Sequence, residues 1–122
     1  MKYGNVQLLY LFDSLVIIHT KSQIVRHYSA TDTSDTVSMG KPPTRIMCTL
    51  IVKGEELRRT VEQLFHGTQE ADLVMGSRYY KRVVTGGEPQ GRMIRTGAWE
   101  YNVEFIALDP TPYSVESDEP LW

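Results

Sequence analysis

Few side chains in this sequence could carry out catalysis or hold a metal ion. The chain contains one cysteine, Cys48, and three histidines, His19, His27 and His66. A single cysteine cannot form an internal disulfide, and with three scattered histidines it cannot complete a zinc site without acidic ligands. No GxSxG, HExxH, Walker or CxxC motif accompanies them. We therefore expect no catalytic residues, no metal and no cofactor, in a chain made in a reducing compartment.

These four side chains have structural interpretations. His19 lies in an apolar run and His27 follows a basic residue, so each fits the core or its rim. His66 falls at the end of a predicted helix, where a cation complements the helix dipole. Cys48 lies on the apolar side of an alternating segment, which is the place of a small buried hydrophobe.

The competing hypothesis is an enzyme. It would use His19 or His27 together with a carboxylate such as Asp13 or Asp32. Such an enzyme needs a concave pocket that joins these groups. The sequence alone does not decide this point, although the missing motifs count against it.

The charged residues are distributed unevenly along the chain. Between positions 78 and 95 five basic residues stand against one acid, Glu88, whereas six acids and no base follow position 99. One interpretation is a solvated hairpin beside an acidic tail. The other is head-to-tail association, in which a basic hairpin meets an acidic edge of the next subunit. The candidate subunit-interface residues are Arg78, Lys81, Arg82, Arg92, Arg95, Asp109 and Tyr113.

Nucleic-acid binding is a third interpretation of the same basic segment. Tyr79 and Tyr80 interleave with its basic residues, as in surfaces on which bases stack. However, the formal net charge of the whole chain is −2, so no general affinity for nucleic acid follows, and the acidic tail works against a positive surface.

Length and composition bound the architecture. The chain has 122 residues, of which 41% are hydrophobic and 23% charged, as in one globular domain. Its longest apolar stretch, residues 8–18, is interrupted by Asp13 and Ser14 and is shorter than the roughly 20 residues that cross a bilayer. We expect one domain over residues 1–114, with a long mobile polar loop at 30–43, and then a loosely held acidic tail at 115–122.

The order of elements follows from hydrophobic periodicity. Residues 45–52 and 99–108 alternate, which predicts two strands. An amphipathic helix between them is predicted by apolar residues at helical spacing, namely Leu57, Val61, Leu64 and Phe65. Further strands are predicted at residues 6–12, 15–20, 24–28, 71–75 and 78–84, with a break at the glycine-rich residues 86–91. The fold class is therefore mainly antiparallel β with one packed α-helix.

In this order the elements resemble a known family. The helix is followed by the hairpin sequence Arg78-Tyr79-Tyr80-Lys81-Arg82-Val83, and the last strand runs into Asp109-Pro110 and Tyr113-Ser114. Residues 44–114 resemble the N-terminal domain of phage distal tail proteins, which belong to the tail-tube-like superfamily. The resemblance implies an antiparallel β-sandwich flanked by a helix, without catalysis.

The resemblance also implies a role in the virion. It implies a homo-hexameric ring that continues the tail tube or joins it to the baseplate. The implied partners are other tail tube, baseplate or hub proteins, with DNA only in passage through the lumen and no membrane. Glu100, Asn102 and Glu104 alternate along the last strand and are the candidate lumen-facing residues, where an acidic surface would repel passing DNA.

Two alternatives remain open at this point. The loop at 30–43 is either an arm that reaches an adjacent subunit or a loop exposed to solvent. The alternative function is a small soluble protein-interaction module without catalysis, which would be a monomer or dimer instead of a ring. In either case the protein is expected to be made in the cytoplasm of a host cell.

Overall fold

The computed structural model describes residues 1–19 and 42–122 in full, and the backbone pairing of residues 24–28 and 34–38. These residues form strands and one helix, so the predicted class, mainly antiparallel β with one packed α-helix, is confirmed. The elements are β1 (Lys2–Tyr3), β2 (Val6–Gln7), β3 (Leu9–Tyr10), β4 (Val16–Ile18), β5 (Ile24–Tyr28), β6 (Ser34–Ser38), β7 (Thr44–Lys53), α1 (Glu55–His66), β8 (Ala71–Met75), β9 (Arg78–Arg95), β10 (Ala98–Ala107) and β11 (Tyr113–Ser114).

The main sheet curves over its own core. Its strands follow the order β2-β1-β8-β9-β10-β7-β3, and β11 pairs with β9 while β4 pairs with β7. Two strands separate β1 from β10, which in a flat sheet would place them about 14 Å apart. The rings of Tyr3 on β1 and Phe105 on β10 are nevertheless 5.1 Å apart. The sheet therefore closes around the core, as expected of a β-sandwich.

The predicted strands at 45–52 and 99–108 form the centre of this sheet. β7 and β10 pair without interruption from Ala98 opposite Lys53 to Ala107 opposite Thr44. One side of each strand is buried, as predicted, and Cys48 lies among these buried residues, whereas the second side of β7, which the alternation predicts to be mostly buried, is half-buried or exposed. Burial raises the pKa of its thiol to about 11, so the thiol is protonated at neutral pH and behaves as a small hydrophobe.

The predicted helix packs against the buried side of the sheet. Val61 and Phe65 are its buried residues, and the Phe65 ring lies 5.4 Å from that of Phe105. Leu57 and Leu64 pack against the same core from its margin. Within the described part of the chain, no helix combines the length and apolar character that crossing a membrane requires.

β9 differs from the prediction, because it runs unbroken through residues 86–91. Gly86 and Gly91 are needed there because side chains of the neighbouring strand β10 come close, whereas Gly87 has a positive φ of 64°. A Cβ atom at Gly86 would lie 2.6 Å from Cδ1 of Ile106, and one at Gly91 would lie 2.6 Å from Cε1 of Tyr101. The pairing with β10 shifts register between Asn102 and Glu104, which marks an irregularity in the ladder.

The predicted loop at 30–43 is also corrected in part. β6 lies within it and pairs antiparallel with β5, from Ile24 opposite Ser38 to Tyr28 opposite Ser34. Positions 30–33 and 39–41 lie outside the described residues.

Nearer the N-terminus, the single strand predicted at 6–12 is divided into β2 and β3, and a 3₁₀ turn at Phe12–Ser14 follows.

The prediction of a loosely held tail is wrong. The backbone N–H groups of Val115 and Leu121 donate to the carbonyls of Ser77 and Pro112, each at 2.9 Å. The hydroxyl of Tyr79 donates to Asp118 at 3.0 Å. Although its side chains are mostly exposed, the tail is fixed to the sheet by backbone hydrogen bonds. The acidic composition of the tail does not reveal these hydrogen bonds.

Candidate functional site

One part of the sheet has two open edges. We call β3, β4, β7, β10 and residues 90–95 of β9 the half-sheet. β3 and β4 lie end to end along one edge of β7, and residues 90–95 of β9 pair with β10 on the far side. Among the described strands none pairs with the outer side of either. Both edges therefore present backbone N–H and C=O groups that are available for pairing.

The first edge, formed by β3, β4 and the turn between them, is strongly apolar. Asp13 is the only charged residue between Lys2 and His19. Phe12, at the turn, has 85% of its surface exposed. Edge strands are ordinarily protected by charged side chains, lysine above all. Half of the exposed large hydrophobic residues in the described part of the chain lie here, namely Leu9, Leu11, Phe12, Val16, Ile17 and Ile18.

The second edge, residues 90–95 of β9, is apolar and basic. Met93 and Ile94 are 54% and 42% exposed, and they lie between Arg92 and Arg95. Arg92 forms an ion pair with Glu100 at 2.9 Å. Arg95 forms no ion pair with any side chain that the structure describes. The two edges thus share exposed apolar side chains and differ in the sign of their charges.

The outer face of the half-sheet carries the candidate lumen residues. Glu100, Asn102 and Glu104 share the face opposite the buried residues of β10. Each has a partner on a neighbouring strand. The distances are 2.9 Å from Glu100 to Arg92, 2.8 Å from Asn102 to the Thr49 hydroxyl and 2.7 Å from Glu104 to Arg45. Because arginines balance both carboxylates, the face is polar and charge-paired and lacks the excess of negative charge that the sequence suggested.

The seven candidate interface residues are not gathered in one place. Lys81 lies over the ring of Tyr113 with its Nζ 4.3 Å from the centroid, and Tyr113 donates to Asp109 at 2.6 Å. This hydrogen bond to Asp109, with burial, raises the pKa of Tyr113. Arg82 lies 3.4 Å from Glu70. Since β9 is 18 residues long, Arg78, Lys81 and Arg82 lie at one end of it and Arg92 and Arg95 at the other.

The side chains of the competing enzyme hypothesis have other partners. The His19 ring contacts Thr44, Tyr80 and Trp122, and none of these provides a side-chain carboxylate. His27 and Asp32 lie outside the residues whose side chains are described. Within the described part of the chain, no three His, Cys, Asp or Glu side chains are close enough together to hold a metal ion.

Sequence reasoning missed a cluster that joins the helix to the sheet. The Arg58 guanidinium lies 3.7 Å from the centroid of Trp99, and its Nε donates to the Tyr101 hydroxyl at 3.0 Å. That hydroxyl donates in turn to Glu62 at 2.8 Å. The hydrogen bond to Tyr101 is the main cause that raises the pKa of Arg58. The sequence signal for it was limited to the i, i+4 pair of Arg58 with Glu62.

Comparison with known proteins gives a likeness in fold. No family model matches the chain, and no match was found among curated proteins. Among solved structures, the chain is similar to the Dit protein (gp 19.1) of SPP1, described as a paradigm of hub adsorption apparatus in phages that infect Gram-positive bacteria. The TM-score is 0.51 at 17% sequence identity, over 93% of this chain and 53% of that one. The chain therefore spans about half the length of this relative and shares its fold, as the sequence resemblance predicted.

Proposed function

We propose that this protein is a structural component of a phage or phage-like tail. In this proposal it assembles as a ring that continues the tail tube or joins it to the baseplate. The fold shared with a hub protein of a phage adsorption apparatus supports the tail role. Its partners would be further copies of itself and other tail tube, baseplate or hub proteins, and its place would be the virion.

The observation that carries the ring is the pair of open edges on the half-sheet. They lie on opposite sides of the same four-strand layer, so pairing the first edge of one copy with the second edge of the next leaves a free edge at each end. Repetition of such a contact closes into a ring when the rotation between copies allows it. Backbone hydrogen bonds between the strands would provide most of the directional contacts.

The side chains of the two edges are also complementary. Met93 and Ile94 would pack against the apolar row of the first edge and remove both groups from water. Arg92 and Arg95 would meet an edge whose only charged residue is Asp13. In this arrangement the basic residues Arg78, Lys81 and Arg82, at the other end of β9, are not part of the contact.

The lumen would then be lined by the outer face of the half-sheet. Glu100, Asn102 and Glu104 project from that face, and their ion pairs and hydrogen bonds leave it polar without strong net charge. Such a surface offers passing DNA few unpaired cations to bind. The double variant Glu100→Gln and Glu104→Gln is expected to leave the ring intact, and a loss of assembly would move these residues to a subunit contact.

The segment at 30–43 is proposed as an arm that reaches an adjacent subunit. The antiparallel pairing of β6 with β5 is compatible with an extension that projects from the sheet. Deletion of residues 31–38 tests this proposal by light scattering. A smaller particle is the expected result, whereas an unchanged oligomer would contradict the arm.

The experiment that tests the ring measures mass by light scattering behind a sizing column, with negative-stain images of the peak. The wild-type chain is expected to give a closed ring of several copies with a central hole. The variants Ile94→Asp and Ile17→Asp place a charge on the second and the first edge and should each reduce the mass to that of one chain. The control is Val115→Asp, because Val115 is 42% exposed, like Ile94, but lies outside the half-sheet.

Mixing the two edge variants makes this test sharper. A copy carrying Ile94→Asp keeps its first edge, and a copy carrying Ile17→Asp keeps its second edge. Equal amounts of the two should therefore form a dimer through the one intact contact, and should not form a ring. A wild-type chain that remains monomeric at high concentration contradicts the ring and favours a protein-interaction module.

A further inference from the structure

His19 lies where β7, β9 and Trp122 meet. It follows β4, and Thr44 begins β7, so these two residues flank the segment 20–43 on either side. The Nδ1 atom of His19 is 3.3 Å from the Thr44 hydroxyl oxygen. The Trp122 ring stands edge-on to the imidazole at 4.8 Å, and the Tyr80 ring is inclined to it by 30° at 6.2 Å.

The hydrogen bonds around this ring determine which nitrogen carries the proton. The Thr44 hydroxyl donates to the carbonyl of Pro110 at 2.9 Å, so its single proton is already used. Thr44 can then only accept from His19, which requires a proton on Nδ1. In the neutral ring Nε2 is consequently an acceptor, and the Tyr80 hydroxyl, 3.4 Å away, is its donor.

Protonation of the ring would break this arrangement. A proton on Nε2 would turn that atom into a donor, so the Tyr80 hydroxyl could only accept from it and would lose the acceptor for its own proton. Tyr80 is almost fully buried, so its hydroxyl has little access to water as a replacement partner. The charged or titratable side chains that act on His19 in the described part of the chain are Arg78 and Tyr80, both on β9. Desolvation and then the charge of Arg78 lower the pKa of His19, although the residue is still partly exposed to water.

We propose that neutral His19 is a clamp that joins the two ends of segment 20–43 and holds Trp122 over the junction, and that protonation of its ring opens the clamp. Three separate parts of the chain, β7, β9 and the C-terminal residue, meet on this one side chain. The clamp lies within a single chain and goes beyond the ring proposed above. A protein that forms no ring can still have the clamp, and a ring can form without it.

The experiment is nuclear magnetic resonance of the full chain with ¹⁵N-labelled histidine. At pH 8 the His19 ring should be protonated at Nδ1, the tautomer that is less populated in free histidine. On acidification the backbone amide of Thr44 and the indole N–H of Trp122 should shift with the same midpoint as the His19 ring. A ring protonated at Nε2 at pH 8 would overturn the proposal, and so would Thr44 and Trp122 signals that do not follow the titration.

Matched variants separate the clamp from a general loss of structure. Thr44→Val removes the acceptor and should return His19 to the Nε2 tautomer, whereas Thr44→Ser keeps the hydroxyl and should preserve the Nδ1 tautomer. If Thr44→Val does not fold, Tyr80→Phe provides the second test. It removes the donor to neutral Nε2 and should move the titration midpoint upward, and an unchanged midpoint contradicts the clamp. As a control, a chain extended by Gly-Ser after Trp122 should keep the same tautomer.

Discussion

The two halves of β9, residues 78–86 and 87–95, are both basic but have opposite surroundings. In the first half Tyr80 and Val83 are buried, and Lys81 lies over an aromatic ring of its own chain. In the second half Met93 and Ile94 are exposed between two arginines. A basic segment in a sequence therefore does not identify an interface. The same residue types, Lys and Arg, stabilise the fold in one half and face outward in the other. What separates them is whether the chain itself covers the neighbouring apolar groups.

The largest expected effect compares truncations in the two halves. Val83→Ala removes two methyl groups from a fully buried site and should lower the free energy of unfolding by about 2 kcal/mol. Ile94→Ala removes more carbon from a site that is exposed in the single chain and should change it by no more than about 0.5 kcal/mol, at protein concentrations below those of assembly. Urea denaturation measures both. Equal losses in the two variants would contradict the difference in packing on which the comparison depends.

One glycine in each half, Gly86 in the first and Gly91 in the second, provides the next test. In Gly91→Ala the new Cβ meets the Tyr101 ring, which Arg58 and Glu62 hold in place, so we expect a loss of about 1–3 kcal/mol in the free energy of unfolding. In Gly86→Ala the new atom meets the flexible end of Ile106, which can rotate away, and the loss should be smaller. Thermal or urea denaturation gives the order, and a larger loss for Gly86→Ala contradicts it.

A smaller effect distinguishes the cations of the two halves. Lys81→Ala removes the contact with Tyr113 and should lower the free energy of unfolding by about 0.5–1 kcal/mol, with no change in oligomer mass. Arg95→Ala should leave stability within about 0.5 kcal/mol and reduce assembly, most clearly at low salt. Denaturation and light scattering of the same samples give both readings. The reverse pattern would place the interface at the first half of β9.

Sequence periodicity predicted the elements that bury one face. The alternation of residues 45–52 and 99–108 located β7 and β10, and the spacing of Val61 and Phe65 located the helix, because burial of one face imposes these periods. The path of β9 through residues 86–91 was not predicted. Glycine is required at positions 86 and 91 because the side chains of Ile106 and Tyr101 on β10 come close to them. A local sequence pattern does not show which side chains of another strand lie nearby.

The candidate site was predicted only in composition. The sequence located the basic residues of β9 but could not show that Lys81 contacts Tyr113 or that Arg92 pairs with Glu100, because both contacts depend on register. It also missed the first edge, since exposed Val16, Ile17 and buried core residues have the same apolar character in a sequence. Only strand order shows that the edge is open.

The smallest effect concerns pH and the His19 ring, which Tyr80 of the first half of β9 contacts. Burial, and then Arg78, lowers the pKa of His19 below its ordinary value of 6.5, so the folded chain favours the neutral ring. Below pH 6.5 the unfolded chain therefore binds more protons than the folded one. The resulting stabilisation is complete above pH 6.5 and is lost as the pH falls through the lowered pKa.

Urea midpoints of wild type and His19→Gln at pH 8 and pH 5 measure this stabilisation, with His27 and His66 present in both proteins as the internal control. Wild type should lose more stability on acidification than the variant, because only wild type must protonate a ring that the fold holds neutral. Equal losses of stability in the two proteins would show that the contact with Tyr80 does not couple the protonation of His19 to folding. The two halves of β9 would then differ only in how their side chains pack.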